Sequence, residues 1–161
     1  MNQDIMKKID AAWWLWGILS CVFALCLPWI GWYAIGNIAV VGCGAYVMHL
    51  AKKRRKRIDE NRDVLKKMTK NQRKKMAQMD EQEGRSILTL AGRLMPFVII
   101  FCGLINIYTF VWSMTGHPTV PVISGLEHMP LFTGWLLLSL DLLFLILFWI
   151  AFNGRIQEIM D

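Results

Sequence analysis

Residues 130–152 read PLFTGWLLLSLDLLFLILFWIAF, a run of 23 residues with one charge in it, Asp141. A helix rises about 1.5 Å per residue, so about 20 apolar residues match the hydrocarbon core of a bilayer. The block has no alternation of polar and apolar positions, which excludes the strand of a membrane barrel. It predicts a membrane-spanning helix over 130–152, and the rest of the chain has the same character.

Moving toward the N-terminus, a loop over 113–129 contains TGHPTVPVISGLEHM, and a second apolar block covers 94–112. Pro96 near its start is expected in the first turn, where a missing N–H costs nothing. Two further blocks, 11–27 and 32–50, are separated at Pro28, which cannot continue a helix. A connection that short makes these two spans antiparallel neighbours. Trp13, Trp14 and Trp16 at one end, and Trp29, Trp32 and Tyr33 at the other, are expected at the headgroup boundaries. Residues 1–10 form a short polar start, with Asp10 placed to cap the first span.

Between the hairpins lies KKRRKR at 52–57, followed by a charged stretch to residue 86 that holds no proline. Its residues are mostly good helix formers, so a helical linker is expected over 51–86. The fold class is therefore all-α: a polytopic membrane protein of four transmembrane helices. They form two antiparallel hairpins, 1–50 and 87–161, joined by the basic segment.

Composition agrees, at 161 residues, 55% hydrophobic, with a net charge of +6. Fourteen of the 18 Lys and Arg fall between Ala51 and Ser86, and the others are Lys7, Lys8, Arg93 and Arg155. The turn after the first span and the 113–129 loop carry none. By the positive-inside rule the basic face is cytoplasmic, with both ends inside. A bacterial-type inner membrane is expected from the short chain and tight connections. The first block lacks a small-residue cleavage site, so it is expected to remain as a span.

Asp141 is the sharpest chemical signal, because a carboxylate at the bilayer centre costs about 2.5–3.5 kcal/mol. It is kept only if it pairs, meets water or binds an ion or proton. By helix rise, Asn106 lies about 18 Å above Leu94 and Asp141 about 16 Å above Phe152. The matched depth predicts an Asn106–Asp141 hydrogen bond between neighbouring helices, with Ser139 and Tyr108 as further candidates. Arg93 is expected to snorkel to headgroups, with a reach toward Asp141 as the lesser alternative. Gly36, Ala39, Gly42 and Ala45, at intervals of three, are candidates for close helix packing.

Lys52, Lys53, Arg54, Arg55, Lys56 and Arg57 follow directly after a span and are expected to set topology and meet anionic lipid headgroups. Nucleic acid is not expected as a partner, because residues 52–86 contain no aromatic residue. The mixed charges beyond 57 suit docking to a protein.

Cys21, Cys26, Cys43 and Cys102 have neither zinc-site nor redox spacing and are expected as small packing residues. His49, His117 and His128 are not at matched depth for haem. His117, His128 and Glu127 are expected in a solvated loop, so no metal or cofactor is expected. No nucleophile–base motif is present, and no enzymatic activity is expected.

In layout, residues 52–161 are similar to some phage holins, with a basic cytoplasmic segment and a proline-containing loop before the last span. The chain has one span more than the three-span type. That resemblance implies an oligomeric structural or lesion-forming membrane component. Size and hydropathy are also similar to small exclusion and immunity proteins. These would bind a partner through 52–86 or 113–129. A third expectation is a small transporter or ion channel using Asp141.

Overall fold

In a computed structural model, the chain is described over residues 3–80, 86–117, 121–126 and 128–160. Those residues are helical or lie in turns, and none is in a strand. The helices are α1 (Gln3–Ala11), α2 (Trp13–Cys26), α3 (Ala34–Lys67), α4 (Lys70–Asp80), α5 (Ser86–Met114) and α6 (Leu131–Met160). A short 3-10 turn, Gly31–Tyr33, leads into α3. Three helical segments are long and apolar enough to cross a bilayer: Gly31–Glu60, Leu90–Met114 and Leu131–Ile159. The pair α1 and α2, bent by 58° at its break, supplies a fourth candidate crossing.

The apolar blocks are helical where expected, but four details differ. The polar start is itself helical, and the cap of α2 is Ala12 with no side-chain bond. Asp10 packs instead against Gly154 of α6, and the Trp16 indole N–H donates to the Ile9 carbonyl at 3.2 Å, pinning the α1–α2 corner. The second block does not stop at residue 50. It continues without a break through the basic run to Lys67, because KKRRKRIDENRD contains nothing that breaks a helix. α5 starts at Ser86, so Pro96 lies in the helix interior rather than in its first turn. The carbonyl four residues earlier, which loses its partner there, belongs to Gly92, which has open space around it. The fourth departure is Trp29, only 7% exposed, whereas Trp32 and Tyr33 lie at the surface.

α6 is the central element: α2 lies along it, and α3 and α5 pack beside them. Along α3 the buried positions are Ala34, Asn37, Val40, Gly44, Met48 and Ala51, a spacing of three and four that defines one face. Phe144 of α6 stacks between Trp16 and Phe23 of α2, with ring centres 6.1 and 5.4 Å away. At the end away from the basic residues, Trp29 meets Phe110 edge-on at 4.8 Å, and Phe110 meets Trp135 at 4.4 Å. This aromatic plug fits because residue 134 is glycine, where a Cβ would overlap the Trp29 ring.

At the basic end, Met48, Met95, Phe148, Phe152 and Ile156 form a second core. Arg55 donates to the Glu158 carbonyl at 3.1 Å. It caps the last turn of α6, whose carbonyls have no intrahelical partner. Beyond it, α3 projects as an exposed helix. The Lys56–Glu60 pair, 3.7 Å apart and open to solvent, contributes about 0.3–0.5 kcal/mol at most. α3 gives way to α4 at Met68 and Thr69. The Thr69 N–H donates to Gln72 Oε1 at 3.3 Å, the reach-back half of a capping box. Arg73 donates to the Met68 and Lys66 carbonyls and closes the corner.

Candidate functional site

Asp141 sits on α6 with no exposed surface, and three apolar helices each send it a hydrogen-bond donor. Ser20 Oγ of α2 donates to its Oδ1 at 2.8 Å. Asn37 Nδ2 of α3 donates to the same oxygen at 2.8 Å. Asn106 Nδ2 of α5 donates to Oδ2 at 2.7 Å. The donors are tied together: Asn37 Nδ2 is 3.1 Å from Ser20 Oγ, and Asn106 Nδ2 donates to Asn37 Oδ1 at 3.1 Å. Cys102, one turn before Asn106 on α5, donates its S–H to Asn37 Oδ1 at 2.8 Å.

Ser20, Asn37, Asn106 and Asp141 are fully buried. Asn106 Oδ1 is buried and has no hydrogen-bond partner. No basic residue is fully buried among the described residues. The donors to Asp141 are therefore neutral side chains rather than a counter-charge.

The local sequence makes this arrangement. Ser20 follows Gly17 by one turn, and Gly17 is where Val41 and Phe148 press closest; a Cβ there would lie 2.9 Å from Val41. That close approach of α2 to α3 and α6 brings the short serine side chain to the carboxylate. Asn37 stands on the buried face of α3, one turn in from the plugged end. Gly103 and Gly36 keep α5 near its neighbours, with Leu142 and Cys102 Sγ each 3.4 Å from a built Cβ.

The expected Asn106–Asp141 bond is thus present. The other two candidates do not join it. Ser139 faces outward and turns its hydroxyl back onto the Trp135 carbonyl at 2.8 Å, which hides the group from lipid. Tyr108 is 59% exposed and lies against Trp112. Arg93 is exposed, and the donors to Asp141 are Ser20, Asn37 and Asn106.

Of the expected packing residues Gly36, Ala39, Gly42 and Ala45, only Gly36 approaches another helix. Ala39, Gly42 and Ala45 are exposed, and nothing lies within 4 Å of a Cβ built at Gly42. Within the chain, close packing runs through Gly17, Gly44 and Gly134 instead. Ser20, Asn37 and Cys102 are the members that sequence reasoning missed. Asn37 carried the same signal as Asp141, an amide within an apolar block. Cys102 is more than a packing residue, while Cys21, Cys26 and Cys43 are free and partly or fully exposed.

The basic run divides. Lys52, Lys53, Lys56 and Arg57 point to solvent, Arg54 is half-buried, and Arg55 is committed to the end of α6. Near it, Arg155 pairs with Glu158. Asp10, on α1 outside the apolar spans, has its carboxyl raised above the ordinary range, first by burial and then by Glu158, with Arg155 opposing. In the loop before α6, His117 stacks on Trp112 at 4.0 Å and bonds Thr115, and His128 is exposed. Glu127 lies outside the described residues. No group of three metal-ligating side chains occurs among those described.

Comparison with known protein families, with curated proteins and with solved structures gives no match for this chain.

Proposed function

We propose that this chain is a non-enzymatic structural component of a bacterial-type inner membrane. It crosses the bilayer four times through α2, α3, α5 and α6, with both ends inside, and holds a basic helical arm in the cytoplasm. The observation that carries this reading is α3. It is one uninterrupted helix of 34 residues, about 51 Å long by helix rise. One half is clamped in the bundle by Asn37, and the other stands free as the arm.

An arm fixed this rigidly suits a protein that positions something relative to the membrane. Lys52, Lys53, Lys56 and Arg57 meet anionic headgroups where the helix emerges, each worth about 1 kcal/mol near such a surface. The mixed charges of the 52–86 segment serve a protein partner in a larger membrane assembly, either a second copy or another subunit.

The distribution of polar groups favours this role over a lesion former of the holin kind. Ser20, Asn37, Asn106 and Asp141 bond to each other at the bundle centre. The outward residues, such as Ile38, Phe97, Phe101, Leu104, Leu136 and Leu143, are apolar. A water-filled lesion between copies needs polar faces turned toward one another.

Two measurements test the proposal. Reporter domains fused after Met68 and at residue 161 are expected to be active only as cytoplasmic reporters, and one inserted at Gly125 only as an external one. The full chain, drawn from its own membrane in polymer-bounded lipid discs, is expected in a particle larger than one 18.6 kDa chain. Neutralising Lys52, Lys53, Lys56 and Arg57 should shrink or scatter that particle. An external reporter signal at Met68, or a single-chain particle from the native membrane, would refute the proposal.

A further inference from the structure

We infer that the buried cluster around Asp141 is a binding site for a small monovalent cation of sodium size. This goes beyond the anchoring role and does not depend on it. The cluster brings five side-chain oxygens from four helices together: both carboxylate oxygens of Asp141, Ser20 Oγ, Asn37 Oδ1 and Asn106 Oδ1. Hard cations take such oxygen sets, and a desolvated charge requires close pairing. Asp141 supplies one negative charge and no basic side chain bonds to it. A monovalent ion makes the cluster neutral, whereas a divalent ion leaves a net charge buried.

The two asparagines give the site its logic. An amide can present its nitrogen or its oxygen from the same position by turning about its last torsion. In the present arrangement both nitrogens face Asp141, and Asn106 Oδ1, in a fully buried residue, is left without a partner. Turning both amides aims both oxygens at the carboxylate, where a cation is held.

The Asn37–Asn106 and Asn37–Cys102 bonds survive that turn with reversed direction, and the Asn106 nitrogen takes the place of its unpartnered oxygen. Asn37 Nδ2 then donates to Asn106 Oδ1 across the same 3.1 Å separation, and to Cys102 Sγ across the same 2.8 Å. A single proton on Asp141 does not achieve this. With only Asn106 turned, its oxygen faces Asn37 Oδ1. With both turned, one asparagine oxygen faces a carboxylate oxygen with no hydrogen between them. A cation is the ligand that satisfies both pairs of facing amide and carboxylate oxygens, after a small opening of the amide–carboxylate distances.

The test uses the full chain in lipid discs at fixed pH and ionic strength. Unfolding temperature is measured in sodium, potassium and choline chloride, and radioactive sodium binding is measured directly. Sodium is expected to bind saturably and raise the unfolding temperature, with choline inert. Asp141→Asn should lose both effects. Ser20→Ala, which removes one neutral oxygen, should weaken binding about fivefold, the value of one ordinary hydrogen-bonding group. The inference is overturned by folded wild-type protein with no sodium-specific response, or by a response kept in Asp141→Asn. It also fails if sodium affinity is unchanged in Ser20→Ala. Stabilisation that follows pH alone would identify a proton site and overturn it too.

Discussion

Replacing Asp141 with leucine removes the common acceptor of three helices without opening a large hole. The Ser20 hydroxyl and the amides of Asn37 and Asn106 lose their shared partner, and all three residues are fully buried. In water-soluble proteins, stranding such a group costs about 1–3 kcal/mol. In a bilayer the separated helices also find partners, and measured interhelical bonds average about 0.6 kcal/mol with a maximum near 1.7. Three bonds therefore place the loss of bundle stability at about 2–5 kcal/mol. Asp141→Asn should cost less, because the new amide oxygen still accepts from Ser20 and Asn37. Its nitrogen is met when Asn106 turns its unpartnered oxygen inward, at the expense of the Asn106–Asn37 bond. The assay is reversible unfolding in mixed micelles over a titration of denaturing detergent, followed by the tryptophan fluorescence of α2 and α6. An Asp141→Leu chain as stable as the wild type, or less perturbed than Asp141→Asn, would show that the carboxylate does not hold the helices together.

Three other outcomes are expected. Gly134→Val should destabilise the bundle by about 1–3 kcal/mol through overpacking against Trp29, whereas Gly42→Val, in open space, should be near neutral in the same micelle titration. Asp10 has a raised carboxyl, so its ionisation opposes docking of α1 on α6. The docked state is favoured most below the ordinary carboxyl value of 3.8 and loses stability as pH rises from there through the raised value. Asp10→Asn should therefore slow hydrogen exchange in α1 at neutral pH and have little effect at acid pH. Thr69→Ala removes the hydroxyl that holds Gln72 over the start of α4 and should cost about 0.5–1.5 kcal/mol locally, read as faster exchange over 70–75 with α3 unaffected.

The apolar blocks were legible because length and continuity of hydrophobicity are properties of the chain alone. Pro28 and the charge between residues 51 and 86 marked the breaks between them. Asn106 and Asp141 could be paired because counting rise from the two ends nearest the basic residues puts them at equal depth. Asn37 and Ser20 could not, since their depth depends on the path of residues 27–33. Residues 27–31 of that turn are buried, and it passes through a positive φ of 54° at Gly31, a conformation glycine adopts without strain. The stripe Gly36, Ala39, Gly42, Ala45 was misleading for a related reason. Spacing names a face of a helix but not the direction that face points. The face that turns inward is the one carrying Asn37, because an amide left in lipid costs more than a few exposed small residues. Likewise, nothing in the run KKRRKR distinguishes Arg55 from its neighbours. Its role depends on where α6 ends.

Helices already in a bilayer gain nothing from leaving lipid for one another in hydrophobic terms, since tails are as apolar as leucine side chains. The long apolar blocks therefore bring the helices to the membrane but do not select their arrangement. Selection must come from the few places where shape or polarity is not interchangeable. Here these are the notch at Gly134 that receives Trp29, the approach at Gly17 and Gly44, and the polar cluster on Asp141. They occupy three levels along the bundle: the plugged end, the middle, and the basic end. One such contact would leave neighbouring helices free to rotate or slide. Three at separate depths fix both rotation and register, and so aim the free half of α3. If so, exchanging many outward Leu, Ile and Phe residues for one another should leave the fold intact. Moving Asn37 by one position, to residue 36 or 38, should disorder the bundle despite an unchanged composition.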